Sequence, residues 1–76
     1  MRTALDVTGM TSRYAIRAVE TALGGIPGVT GMTVALGHVT VDHDDTVTAD
    51  LLREAISVAG FEVTATRAER GLRILN

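Results

Sequence analysis

Four stretches in which apolar residues alternate with polar ones, and two in which they recur at helical spacing, predict an α+β domain. Their order along the chain is βαββαβ, which builds a four-stranded antiparallel sheet with two helices on one face. A third observation is punctuation: Gly24-Gly25, Pro27-Gly28, Gly37 and Gly60 stand where one period gives way to the next.

The first strand is Thr3 to Val7, with Leu5 and Val7 on one face and Asp6 on the other. Gly9-Met10-Thr11-Ser12-Arg13-Tyr14-Ala15 then carries the chain from strand to helix. In that helix Ile16, Val19, Leu23 and Ile26, joined by Ala15, Ala18 and Ala22, form an apolar stripe, while Arg13, Arg17, Glu20 and Thr21 lie opposite. Ser12 is the expected N-cap, because its hydroxyl can accept from the free N–H groups of the first turn, and Gly24-Gly25 ends the helix, which spans roughly 13 to 24. Val29 to Leu36, with Met32, Val34 and Leu36 in one register, and His38 to His43, with Val39 and Val41 alternating, read as a β-hairpin.

A polar connection, Asp42-His43-Asp44-Asp45, leads to Thr48, the expected cap of a second helix with apolar positions Leu51, Leu52, Ala55, Ile56 and Ala59. Gly60 closes it, and Phe61 to Thr66 is the last strand, with Val63 and Ala65 assigned to one face. Residues 1–66 thus make the domain and 67–76 a C-terminal tail. The tail reads as a partly ordered terminus or, after Gly71, as a short extra strand that covers a sheet edge or pairs with a second copy.

A chain of 76 residues is one domain, and at this size folding buries only ~60% of the unfolded surface. With no cysteine, neither a disulfide nor a thiolate metal site supplements the core, so the 46% of apolar residues must suffice. Seven Arg and no Lys against nine acidic residues give a net charge of −2, which disfavours nucleic acid as a partner. No apolar run approaches the ~18 residues of a membrane span, and the expected setting is soluble and cytoplasmic.

Gly9-Met10-Thr11 after a strand, a helix ending before Ile26-Pro27-Gly28-Val29, and Ala59-Gly60-Phe61-Glu62-Val63 together resemble the heavy-metal-associated domain family over about the first 66 residues. That family includes small copper chaperones and amino-terminal domains of copper-transporting ATPases, and the resemblance implies its ferredoxin-like sandwich. It also implies that Met10 packs beneath the binding loop and that Phe61 is the aromatic near the ion. The family loop reads Gly-Met-Thr-Cys-x-x-Cys, and its two thiolates bind a soft ion, usually cuprous copper. Here those two positions are Ser12 and Ala15, one a poor donor for cuprous copper and the other no donor. Divergence and an engineered metal-blind loop both account for the change, although deliberate isosteric replacement would place Ser at both positions.

Other candidate ligands are sparse. His38 and His43 lie five apart along one strand, hence on opposite faces and ~16 Å apart, and cannot share an ion within a chain. Both are expected at the surface, His38 at the end of the sheet that carries the Ser12 loop and the acidic cluster at the other. That cluster lacks the oxygen spacing of a calcium loop and reads as a solvated turn. Ser12, Arg13 and Arg17 suggest an anion site or a strip that docks an acidic partner, against the plainer reading of a solvated helix side with an Arg17–Glu20 pair.

No Ser/His/Asp arrangement or phosphate-cradling loop supports an enzyme, and Tyr14 and Phe61 are too few aromatics for RNA stacking. The sequence therefore points to a binding or docking module that engages a protein partner and needs no cofactor. Self-association through a sheet edge or the tail is a further expectation. The alternative is a carrier of copper or zinc that uses an unconventional or intermolecular site.

Overall fold

The computed structural model describes residues 1–69, in the order β1 (Arg2–Thr8), α1 (Arg13–Gly24), β2 (Val29–Ala35), β3 (His38–His43), α2 (Ala49–Val58) and β4 (Glu62–Glu69). The strands form one antiparallel sheet in the order β2-β3-β1-β4. Each helix is thus a crossover between strands that are not neighbours, and the two β-α-β units interleave. α1 packs along β2, α2 along β4, and the helices touch each other. This is the ferredoxin-like sandwich expected.

The core lies between the sheet and the helices. Leu5, Val19, Leu23, Val39, Val41, Leu52 and Ile56 are wholly buried there, and Ala15, Val7, Met10 and Val47 complete the cluster. Ile16, Ile26, Val29, Met32, Val34, Phe61 and Val63 pack against it from the margin. Apolar burial of this kind is what holds so small a domain together.

Several elements depart from the periodicity. β4 runs to Glu69, past Thr66, because Arg67, Ala68 and Glu69 pair with Ala4, Thr3 and Arg2 of β1. A bulge opposite Asp6 and Val7 moves Ala65 to the open face of the sheet, opposite Asp6, and leaves Thr66 opposite Leu5 on the helix side. A second bulge, between Val29 and Gly31, lets Val29 and Met32 both face the core. Leu36 falls in the hairpin turn and is 58% exposed, and Leu51 is 43% exposed on the outer side of α2. A strand expected after Gly71 lies outside the described residues.

Candidate functional site

The loop between β1 and α1 is built by a tight turn: the amide of Thr11 donates to the carbonyl of Gly9 at 3.0 Å, and Gly9 has φ +87°. That turn swings Met10 inward, where it is only 4% exposed within the core cluster. Ser12 occupies the N-cap position of α1 in extended conformation, yet its hydroxyl makes no capping bond, and its carbonyl accepts from the amides of Ala15 and Ile16. One helical turn on, Ala15 is 7% exposed and points into the core, whereas Ser12 faces solvent.

Phe61 reaches the loop from the opposite end of the chain because of how α2 stops. The amide of Gly60 donates to Ser57 at 3.0 Å and that of Phe61 to Ile56 at 3.2 Å, a Schellman closure with Gly60 at φ +101°. The closure aims Phe61 at the loop so closely that a Cβ on Gly9 would sit 3.5 Å from its Cδ1. The β2–β3 hairpin joins the same end, since the amide of Val7 donates to the carbonyl of Gly37 at 2.9 Å. Gly9, Met10, Thr11, Ser12, Ala15 and Phe61 therefore share one pole of the molecule. Around it the side-chain donor atoms are the exposed hydroxyls of Thr11 and Ser12 and the buried thioether of Met10, with a methyl group at residue 15.

Arg13, Tyr14 and Arg17 extend from this pole along the solvent side of α1, all exposed, with Tyr14 84% exposed. The ion pair expected between Arg17 and Glu20 is absent among the described residues, which do include the pairs Arg2–Asp42 and Arg53–Asp50. Sequence reasoning did not foresee a groove of about 700 Å³ between α2 and β4, which shares Phe61 with the loop. Asp50, Glu54 and Glu62 line it against Arg53. The signal available was the spacing of Asp50 and Glu54 on one helix face, but the contribution of Glu62 depends on the fold.

The two histidines part company. His38 is exposed, its Nδ1 3.0 Å from Oδ1 of Asp6 on the open face of the sheet. His43, expected at the surface, is instead 5% exposed. It continues the inward parity of Val39 and Val41, so strand geometry carries it into the core edge. Its Nδ1 lies 2.8 Å from the carbonyl of Asp44, which can only accept, so Nδ1 bears a proton; Nε2 meets the Thr3 hydroxyl at 2.8 Å. Both ring nitrogens are thus occupied by protein, and His43 has none to offer a metal.

The neighbouring acids are also engaged rather than simply solvated. A hydrogen bond from Arg2, at 2.7 Å, holds the Asp42 carboxyl below the usual range, and hydrogen bonds from the hydroxyl and amide of Thr46 do the same for Asp44. Among the described residues no group of three or more His, Asp or Glu converges as a metal site. Nor is any helix there long and apolar enough to cross a membrane.

No family model matches the chain. It is, however, 40% identical over 62 residues to the copper chaperone CopZ of Staphylococcus aureus strain JH9, covering 78% of this chain and 91% of that protein. A solved CopZ metallochaperone superposes with a TM-score of 0.81 at 37% identity, over 84% of this chain and 100% of its own. A copper-binding domain from HMA7, a P-type ATPase, gives 0.78 at 35% identity over 90% and 100%, and the yeast copper transporter domain Ccc2a gives 0.77 at 31% over 82% and 89%. With the sheet order, the buried Met10 and the Phe61–Gly9 contact already in place, this kinship shows that the chain belongs to the heavy-metal-associated domain family, as a copper-chaperone-like member without cysteines.

Proposed function

We propose that the protein is a non-catalytic docking module that keeps the shape of a copper-carrying domain while lacking the means to hold the ion between thiolates. The observation that carries this reading is the contrast within one loop: Met10 and Phe61 pack as structural supports, and the two ligand positions offer a hydroxyl and a methyl. Cuprous copper selects soft, polarisable donors, so the residues present do not fit it as cargo. Met10, the one sulfur in the loop, is turned into the core.

What remains at the surface is a recognition face. Arg13, Arg17 and Tyr14 border Ser12, and a basic strip with one exposed aromatic suits an acidic protein surface. The partner class we assign is the copper-binding domain of a P-type ATPase or a similar component of metal homeostasis, on the strength of the kinship with such proteins. A cytoplasmic site of action is part of the same proposal and rests on that kinship.

Competition against a cuprous chelator under reducing conditions is the test. The unmodified chain is expected to leave the chelator loaded, whereas the double variant Ser12→Cys with Ala15→Cys is expected to withdraw about one ion per chain, because a helix start lowers a cysteine's pKa and favours the thiolate. Near-stoichiometric binding by the unmodified chain would establish an unconventional site and overturn the proposal.

A further inference from the structure

The two edges of the sheet are defended very differently. β4 carries Glu62 and Arg67, both exposed, and charged side chains of this kind discourage another strand from adding on. β2, the edge on the other side, reads Val-Thr-Gly-Met-Thr-Val-Ala, without a charge or a proline in seven residues. Its one protective device is the bulge between Val29 and Gly31, which breaks regularity only at the start. From Gly31 to Ala35 the strand pairs without interruption against Asp42 to His38 and has no second neighbour among the described residues.

We infer that β2 is a self-association edge, at which Gly31–Ala35 of one chain pairs antiparallel with the same segment of a second copy about a two-fold axis at Thr33. This inference is independent of the docking reading, which concerns another surface.

The register follows from side-chain parity. Met32 and Val34 face the helices while Gly31, Thr33 and Ala35 face the open side of the sheet. Antiparallel strands place like faces opposite each other, so a two-fold at Thr33 sets Met32 against Val34, Gly31 against Ala35, and Thr33 against its own counterpart. Every pair is then chemically matched: two apolar side chains that are only half-buried in the monomer, two small residues, and a cross-strand Thr–Thr pair. Leu36, left 58% exposed by the hairpin, comes opposite Thr30 of the second copy and gains cover. A second copy is the occupant that fits because the segment is uncharged, so that pairing with itself brings no like charges together.

Sedimentation equilibrium of the full chain is expected to show a monomer–dimer equilibrium over about a hundredfold range of concentration. Thr33→Lys, which puts like charges across the pair, is expected to raise the dimer dissociation constant by about tenfold or more. Ala65→Lys, its counterpart on the open face of β4, is expected to leave that constant unchanged. Because the chain has no cysteine, Thr33→Cys offers a second reading that survives misfolding of the lysine variant: mild oxidation is expected to link it into dimers faster than Ala65→Cys. A chain that stays monomeric throughout overturns the inference, whether or not β2 receives a strand from another protein. So does a dimer that Thr33→Lys leaves intact, or one that only Ala65→Lys disrupts.

Discussion

Met10→Ala removes a side chain that is 4% exposed beneath the loop, and the expected cost is about 2–5 kcal/mol, seen as a lower melting temperature by circular dichroism. Its inward packing was legible through the family resemblance of Gly9-Met10-Thr11, and it fits the need of a strand-to-helix loop for an apolar anchor. His43 was equally legible by parity, standing two residues after Val41 and four after Val39. Its polar character sent it to the surface instead, since burial of a histidine is acceptable only when hydrogen-bond partners exist, and Thr3 and the Asp44 carbonyl meet it only in three dimensions. Leu36 and Leu51 show the converse, apolar residues in the right period that the hairpin turn and the edge of the helical stripe leave in water.

The helix starts show how far local signals reach. Both N-caps were placed at the right residues, Ser12 and Thr48, yet only Thr48 accepts a capping bond, from the amide of Leu51 at 3.2 Å. Thr48→Ala is therefore expected to cost about 1 kcal/mol, and Ser12→Ala far less. Urea denaturation followed by circular dichroism checks the difference. Strand existence and order were readable from alternation, but the two bulges were not. A bulge is one extra residue relative to a partner strand, and the partner of β4 lies some sixty residues away in sequence. The face assigned to Ala65 failed for this reason, while that of Val63, beyond the bulge, did not.

At the scale of the whole molecule, the acid response follows from the pole farthest from the loop. Asp42 and Asp44 both titrate below their ordinary values in the folded chain, so their contribution is present above those values and is lost as pH falls through the depressed folded ones. Melting temperature is expected to drop as pH falls below about 4, the ordinary carboxylate range, and Asp42→Asn combined with Asp44→Asn should flatten that drop. That the loop residues lie together between β1 and α1 could be read in advance, but the acidic groove around Glu62 required the chain to close.

The base of the molecule bears on what the loop was free to become. There the Asp44 amide donates to the Gly28 carbonyl, His43 ties β1 to the start of the α2 connection, and Gly28 is so hemmed in that a Cβ would lie 2.6 Å from Asp44 Oδ1. This pole locks four segments together without help from Ser12 or the solvent side of α1. Substitution of the exposed Ser12, which makes no capping bond, thus draws on no contact held at the base, whereas a change at Met10 or Ala15, both buried, reaches the core itself.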